Sequence, residues 1–270
     1  MLLLSHFKIN LGLHILNKRE DGFHNIETAM YQISALSDVV EILPHPTNDK
    51  FTSSGLTIDC PDSENICLKA LNLVKEHYNI PPLHIHLHKQ IPFGAGLGGG
   101  SADAITTLKL IDQVLELNVP TKLMHKWAQS LGSDTSFFVN PTPSIATSKG
   151  EILTPIELDL SKYYIYIVKP PIHSSTKSAY RGVTPKMDRI QIAEILKAHI
   201  STWKDNLVND FESPLFYDYP QLAEIKQYLY DKGALYASLS GSGSALYGIF
   251  DREVQLAANI VAIQFPTHLK

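Results

Sequence analysis

The chain has 270 residues and a formal net charge of −4, so it is long enough for two ordinary domains and carries no basic excess of the kind that binding to a nucleic-acid backbone requires. The apolar run in its opening MLLLSHFK is far too short for a signal sequence or a membrane span. Cys60 and Cys67 match neither a CxxC motif nor a zinc half-site. We therefore expect a cytoplasmic protein with reduced thiols and with no nucleic-acid or membrane partner.

The first predicted elements are strands followed by a helix. Residues 2–16 alternate between apolar and polar side chains, and the apolar residues of 23–43 predict further strands separated by polar turns. The stretch SENICLKALNLVKEHY predicts an amphipathic helix capped by Ser63. The next stretch, LHIHLHKQIP, predicts a strand with one buried face, because leucine and isoleucine alternate with histidine.

Three histidines lie on the other side of that predicted strand. His84, His86 and His88 could in principle meet a metal ion, but no carboxylate or thiolate accompanies them within the segment. We therefore favour a polar strand face over a metal site, and we assign no metal ligands elsewhere in the chain.

The remaining elements predict an α+β fold. Helices are predicted at 101–117 and 121–131, and the prolines that follow mark a domain boundary. The second half then predicts a strand at YYIYIVK, helices near 188–200, 205–217 and 220–231, strands at ALYASL and ALYGIF around the turn SGSGS, and a last helix from about residue 252. Because this order lacks regular βαβ repeats, we expect helices packed on mostly antiparallel sheet.

The stretch PFGAGLGGGSADA is dense in glycine just before a predicted helix. Gly94, Gly96 and Gly99 formally give GxGxxG, but the preceding strand is not fully apolar and no acidic second strand follows at the expected distance. A P-loop would need Lys and then Ser or Thr after its last glycine, whereas Gly99 is followed by Gly100 and Ser101. What remains is a run of backbone N–H groups that leads into a helix and suits phosphate oxygens, with a purely structural turn as the alternative.

Three other segments carry residue types that phosphoryl transfer uses. FKINLGLHILNKREDGFHNIET places Lys8 and Asn10 on one strand face and leads through a charged turn to Phe23 and His24. LGSDTSFFV places Asp134 just past a predicted helix end, and LSGSGSALYGIF contains a second glycine turn. Taken alone, an aspartate in a turn or a lysine on a strand is more often a solvated residue than a catalytic one.

In this order, and over the whole chain, the four segments resemble the GHMP family of small-molecule kinases. The resemblance implies an α+β, two-domain GHMP kinase fold, with an N-terminal ribosomal-protein-S5-like domain at 1–155 and a C-terminal ferredoxin-like α/β sandwich at 156–270. It implies ATP-dependent phosphorylation, with Mg²⁺, of the 2-hydroxyl of a cytidine diphosphate methylerythritol in the non-mevalonate isoprenoid pathway. Another GHMP kinase, for homoserine, mevalonate or a sugar, and a non-catalytic nucleotide-binding regulator are the alternatives. The oligomeric state stays open between monomer and homodimer.

The resemblance also implies the catalytic residues and the ATP site. Asp134 is the candidate base for the acceptor hydroxyl, and Lys8 is the candidate cation that keeps this carboxylate ionised and stabilises charge on the transferring group. The ATP phosphates would bind to what we call the glycine loop, which consists of Pro92, Phe93, Gly94, Ala95, Gly96, Leu97, Gly98, Gly99, Gly100, Ser101 and Ala102.

Further residues are implied for the cytidine substrate. By resemblance, His24 would hydrogen-bond the cytosine edge and Asn10 would contact the methylerythritol end. Phe23, where family members commonly have tyrosine, would stack on one face of the base. Tyr180, four residues beyond Thr176 in the same substrate loop, would stack on the other.

Overall fold

The structure is a computed structural model that describes residues 1–58, 60–174 and 176–257, without the side chains of residues 176–178. Its contacts divide the chain into two compact units that are each discontinuous in sequence. The first unit contains Met1–Phe7, Leu36–Phe93 and Gly98–Pro141; the second contains Lys8–Ala35, Gly94–Leu97 and the chain from Thr142 onward. The family domain boundary expected at residues 155 and 156 stays a prediction.

In the first unit, three strands pair through the predicted histidine strand. Strand β1 is Leu2–Lys18 and strand β2 is His24–Pro44, and each contributes only one end to this unit. The C-terminal part of β2 pairs antiparallel with β4, Leu83–Lys89, and β3, Lys50–Gly55, pairs parallel with β4. Buried and half-buried residues alternate along β4, which confirms the predicted strand with one buried face.

The segment predicted as several strands at 23–43 is a single long strand, β2. Its C-terminal part pairs with β4, as described above, and its N-terminal part, from Ile26 to Met30, pairs antiparallel with β5, Ser144–Ser148, in the second unit. Because each half obtains its own pairing partner, the polar residues between them do not interrupt the strand.

The helices of the first unit pack on one another. They are α1, Ile66–His77; α2, Gly99–Leu115; α3, Thr121–Leu131; and α4, Thr135–Val139. Helix α1 packs against α2 and α3, and α4 contacts the same two helices. The predicted cap at Ser63 is wrong: Asn65 caps α1, because its side-chain oxygen accepts from the backbone N–H groups of Cys67, at 2.9 Å, and Leu68, at 3.3 Å.

Both cysteines are free thiols, as the sequence predicts. Cys67 lies buried in α1, and burial, followed by the charge of Asp103, raises the pKa of its thiol to about 12. The thiol is therefore neutral and packs as a small apolar side chain. Over residues 1–58, 60–174 and 176–257, the chain forms no helix long and apolar enough to cross a membrane.

The second unit combines the strands near β2 with a separate three-stranded sheet. Strand β5 pairs antiparallel with β6, Ile152–Pro155. The other sheet has the order β7-β9-β8 and is antiparallel throughout, with strands Tyr164–Val168, Leu246–Phe250 and Tyr236–Leu239 respectively. The helices are α5, Thr176–Arg181; α6, Ile192–Leu196; α7, Trp203–Asn206; α8, Glu212–Asp218; and α9, Pro220–Asp231. Helix α9 buries Leu222, Ile225 and Leu229 in the same core as Leu239 and Leu246 of the sheet.

The helices predicted near 188–200 and 205–217 are shorter than expected. The helix predicted at 205–217 is divided into α7 and α8, and between these two helices the backbone bonds to β1: the Leu13 N–H donates to the Val208 carbonyl at 2.9 Å, and the Asp210 N–H donates to the Leu13 carbonyl at 2.9 Å. These contacts replace helical hydrogen bonds. The last helix, predicted from about residue 252, is absent over 252–257, and the rest of that prediction lies outside the described residues.

Candidate active site

Lys8 and Asn10 lie buried side by side on β1, as predicted from their spacing. The Lys8 side chain is 1 % exposed, and its ammonium donates to the Asn10 side-chain oxygen and, at 3.3 Å, to the Gly96 carbonyl of the glycine loop. The Asn10 amide donates in turn to Thr28 Oγ1 at 3.1 Å. Lys8 is therefore not a surface lysine: its charge is held at a fixed position against the loop.

The second glycine turn holds the first one in place. Ser240 Oγ donates to the Gly96 carbonyl at 2.9 Å, and the Ala245 N–H donates to the Ala95 carbonyl at 3.1 Å. Gly96 has a φ of +75°, and a Cβ at this position would lie 2.0 Å from the Ser240 carbonyl oxygen. Only glycine allows this approach of two backbones. Ser240 was not predicted as a site residue, although it belongs to the LSGSGS segment that was singled out.

The other end of the glycine loop opens helix α2. Gly98 is the N-cap residue, with a φ of +69°, and the first residues of α2 are Gly99, Gly100 and Ser101. The first N–H groups of a helix have no partner within it and carry the positive end of its dipole. This part of the loop thus presents backbone donors and partial positive charge, which suits phosphate oxygens. Phe93, just before it, is exposed.

Asp134 lies at the start of α4, where its side chain makes no capping hydrogen bond. The turn is fixed instead by Thr135, whose hydroxyl donates to the carbonyls of Ala128 and Gly132 at the end of α3. Phe137, three residues after Asp134, is fully buried and anchors the short helix. Asp134 occupies the N-cap position of α4 through its backbone, whose carbonyl accepts from the Phe137 N–H at 3.3 Å, and not through its carboxylate.

The turn before β2 presents Phe23. Arg19 Nε donates to both carboxylate oxygens of Asp21 at 3.1 Å, and Asp21 Oδ1 accepts from the Phe23 N–H at 3.1 Å. The Phe23 side chain is 56 % exposed, and Lys149 Nζ lies 5.1 Å from the centre of its ring. Arg19 and Asp21 thus shape the turn, while Phe23 offers an aromatic face at the surface.

His24 and Tyr180 contact each other directly. Their rings stack with centroids 4.8 Å apart and planes 19° apart, and the Tyr180 ring meets the buried Phe211 edge-on. Burial, followed by the charge of Lys18, lowers the pKa of His24, so that at neutral pH its ring has one donor and one acceptor nitrogen. The side chain of Thr176, also assigned to this site, lies outside the described residues.

The structure places the predicted residues in distinct groups. In the second unit, Lys8 bonds to Asn10 and to Gly96 within loop residues 94–97, and His24 and Tyr180 form a separate aromatic pair. In the first unit lie Asp134 and the loop residues at both ends of that stretch, which are Pro92, Phe93, Gly98, Gly99, Gly100, Ser101 and Ala102.

The three histidines of β4 bond to hydroxyl groups of β3. Thr52 Oγ1 lies 2.8 Å from His84 Nε2 and 2.8 Å from His86 Nδ1, and Ser54 Oγ lies 3.0 Å from His86 Nε2 and 2.9 Å from His88 Nδ1. This is an alternating ladder of imidazoles and hydroxyls. Within the described ranges of the chain, no group of three or more His, Cys, Asp or Glu side chains is placed to hold a metal ion.

Family models match both halves of the chain. The GHMP kinases N terminal domain matches residues 65–142, and the GHMP kinases C terminal domain matches residues 191–267. Solved structures with the same fold include a homoserine kinase from Cytophaga hutchinsonii, with a TM-score of 0.63 and 17 % identity over 91 % of this chain and 85 % of the other. The chain is therefore a member of the GHMP kinase family, as its motifs predict.

Individual curated relatives indicate which kind of GHMP kinase the chain is. A 4-diphosphocytidyl-2-C-methyl-D-erythritol kinase from Cytophaga hutchinsonii is 47 % identical over 93 % of both chains, and one from Parabacteroides distasonis is 43 % identical over 100 % of this chain and 94 % of the relative. A crystal structure of a 4-(cytidine 5'-diphospho)-2C-methyl-D-erythritol kinase superimposes with a TM-score of 0.76, at 29 % identity over 92 % of this chain and 90 % of the other. Within the GHMP kinases, the chain belongs to the 4-diphosphocytidyl-2-C-methyl-D-erythritol kinases.

Proposed function

We propose that the chain transfers the γ-phosphoryl group of ATP to the 2-hydroxyl of 4-(cytidine 5'-diphospho)-2-C-methyl-D-erythritol, a step of the non-mevalonate isoprenoid precursor pathway. The observation that carries the proposal is the buried Lys8 ammonium, bonded to Asn10 and to the Gly96 carbonyl of the glycine loop. Burying an ammonium carries a large desolvation cost, and here the ammonium is held against the loop that is the proposed phosphate site. The free thiols support a cytoplasmic location.

The glycine loop is the proposed site of the ATP phosphates. The N-terminus of α2 offers backbone donors that suit phosphate oxygens. The Lys8 ammonium, held against the Gly96 carbonyl, would add a full positive charge. Mg²⁺ would enter with ATP and neutralise charge on its phosphate oxygens. Among the described residues, no group of three or more His, Cys, Asp or Glu side chains is placed to hold the ion. Phosphate oxygens of ATP would therefore supply part of the Mg²⁺ coordination.

Asp134 and Lys8 are the proposed catalytic residues. In phosphoryl transfer, the protein mainly positions the groups and stabilises charge, since the transition state is loose. Asp134 would orient the acceptor hydroxyl and take its proton. Lys8 would stabilise charge on the transferring phosphoryl group.

The turn before β2 and helix α5 are the proposed cytidine site. In the structure, one face of each aromatic ring already has a partner: His24 stacks on Tyr180, and Lys149 lies over Phe23. A cytosine that stacks between Phe23 and Tyr180 would replace these intramolecular contacts, so the net gain from stacking is smaller than the roughly 1–3 kcal/mol typical of a base on an open aromatic ring. His24, neutral at pH 7, would then be available to hydrogen-bond the base edge.

A panel of acceptor alcohols tests the proposed function. ADP formation would be measured with Mg²⁺-ATP and, separately, the cytidine diphosphate methylerythritol, homoserine, mevalonate and galactose. We expect kcat/KM for the cytidine alcohol to exceed the others by at least about 100-fold, because a site that hydrogen-bonds a substrate group rejects analogues lacking it. Preference for another alcohol would indicate a different GHMP kinase. ATP binding with no turnover on any alcohol would indicate a regulator.

A further inference from the structure

A group of three charged side chains lies buried in the first unit, below the start of α2. Lys89 of β4 donates from its ammonium to Asp38 Oδ2 of β2 and, at 2.8 Å, to Asp103 Oδ2 of α2. The three side chains, which we call the Asp38–Lys89–Asp103 triad, belong to residues that are only 0 %, 3 % and 1 % exposed. With both carboxylates ionised, the triad carries one excess negative charge.

The triad joins the two ends of the glycine loop. On the entry side, Asp38 Oδ1 accepts from the backbone N–H groups of Gln90, at 2.5 Å, and Ile91, at 2.8 Å, the residues that lead into the loop. On the exit side, Lys89 Nζ lies 3.1 Å from the position that a Cβ on Gly99 would occupy, directly beneath the first residue of α2. The same ammonium therefore fixes both the chain that enters the loop and the helix that leaves it.

Stability alone does not account for such a group. A buried ion group costs several kcal/mol of desolvation per charge, and replacing one by apolar side chains of similar volume is often neutral or stabilising. Such groups are better explained by the geometry that they impose. Here the imposed geometry is that of the backbone donors at the N-terminus of α2.

Asp103 is also the member placed to exchange a proton. Its Oδ1 is buried beside the Ser5 hydroxyl and makes no hydrogen bond of normal geometry among the described residues, so a proton can reside there without breaking the bond that Lys89 donates to Oδ2. The charged or titratable groups that face it are Lys89 from β4, Asp38 from β2 and the neutral thiol of Cys67 from α1. Burial raises the pKa of Asp103 to about 7; the charge of Lys89 opposes this rise and that of Asp38 adds to it.

We propose that the Asp38–Lys89–Asp103 triad is a positioning device for the triphosphate, in which Lys89 holds the glycine loop in its binding geometry and Asp103 takes up a proton when an anion binds at the N-terminus of α2. The inference rests on the proposed function of the loop as the ATP site. The physical reason is charge: a triphosphate adds negative charge beside a triad that already has an excess of it, which favours the protonated form of Asp103. Lys89 and Asp103 act through the loop and touch no reacting atom.

Calorimetry can measure the proton directly. ATP would be titrated at pH 7.5 in Pipes, Hepes and Tris, whose ionisation enthalpies differ, so that the slope of the binding enthalpy against buffer ionisation enthalpy gives the protons taken up. If binding raises the proton affinity of Asp103 tenfold, uptake is about half a proton per ATP. Because ATP itself can exchange protons, the quantity of interest is the difference between wild type and Asp103→Asn, a neutral isostere. We expect this difference to be about half a proton.

A variant with no charge left in the triad tests the positioning role. Lys89→Met combined with Asp103→Leu and Asp38→Asn removes all three charges, and the side-chain oxygen kept at position 38 can still accept from the Gln90 and Ile91 N–H groups. We expect this variant to fold with a Tm near that of wild type, to raise the KM for ATP at least about tenfold and to leave the KM for the cytidine alcohol within twofold. The matched control is Lys75→Met, which breaks the Lys75–Asp49 ion pair of the same unit away from the loop and should behave as wild type.

The outcomes separate this inference from the proposed function. If wild type binds ATP and phosphorylates the cytidine alcohol but Asp103→Asn shows the same proton uptake, the proton role of Asp103 is wrong. If the triple variant folds and keeps its KM for ATP within twofold, or raises both KM values equally, the positioning role is wrong. If wild type does not bind ATP at all, both the proposed function and this inference are overturned.

Discussion

Gly96→Ala is a sharp test of how the glycine loop is held. Gly96 has a φ of +75°, and a Cβ there would lie 2.0 Å from the Ser240 carbonyl oxygen, whereas Cβ atoms in proteins are essentially never closer than 3.0 Å to another atom. The loop and the Ser240 turn must therefore separate by roughly 1 Å, a misplacement that can cost about 100-fold in rate at a catalytic site. The left-handed strain of about 1–2 kcal/mol and a lost hydrogen bond of about 1 kcal/mol should lower the free energy of unfolding by roughly 2–3 kcal/mol.

The matched control is Gly233→Ala, outside the site. Gly233 has a φ of +96°, but a Cβ there would come no closer than 3.5 Å to a neighbouring atom, so the control carries the strain without the clash. ADP release at varied ATP concentration and urea unfolding should be measured on both variants. We expect Gly96→Ala to lose about 100-fold in kcat/KM for ATP and Gly233→Ala to keep wild-type kinetics with a stability loss of about 1 kcal/mol. Equal stability losses, with the KM of Gly96→Ala for ATP within twofold of wild type, would refute the reasoning.

Three further predictions concern Asp134 with Lys8, the proposed cytidine site and the histidines of β4. Asp134→Asn should lower kcat by about 10²–10⁴-fold while ATP and alcohol still bind, and adding Lys8→Met should cost less than the product of the two single losses; steady-state kinetics check both. Phe23→Leu should raise the KM for the cytidine alcohol while Phe23→Tyr, which keeps the ring, should not; unchanged KM values in both would exclude stacking. Burial lowers the pKa of His84, and the charges of Lys50, His45 and His86 lower it further. The neutral His84 ring therefore contributes to the free energy of unfolding above the ordinary pKa of histidine, and this contribution is lost as the pH falls through the lowered pKa. His84→Gln should therefore lose less Tm than wild type between pH 7 and pH 5, which differential scanning fluorimetry can measure.

Strongly periodic segments could be predicted from the sequence. The strand at 83–89 and the helices at 121–131 and 220–231 follow from local hydrophobic patterns, because each buries one regular face. The region from 188 to 217 was predicted less well. Its segment between α7 and α8 is held by hydrogen bonds to β1, nearly 200 residues earlier, and no local pattern reports such a pairing.

In the site, likewise, residues in short motifs could be predicted, but contacts between distant parts of the sequence could not. Lys8, Asn10, the glycine loop and Asp134 lie in short motifs, so their residue types and spacing could be recognised. The contacts of Ser240 with Gly96, and of Lys89 with Asp38 and Asp103, join positions that are far apart in sequence. A buried lysine at the end of a strand has no sequence signature that separates it from a surface one.

The most direct test of the proposed function is the identity of the product. Wild-type chain, ATP with Mg²⁺ and the cytidine diphosphate methylerythritol would be incubated to completion and analysed by mass spectrometry and phosphorus NMR. We expect one equivalent of ADP for each alcohol consumed and a single new phosphate ester on the 2-hydroxyl of the methylerythritol group. A phosphate at any other position, or ADP formed at the same rate without the alcohol, would contradict the proposed reaction.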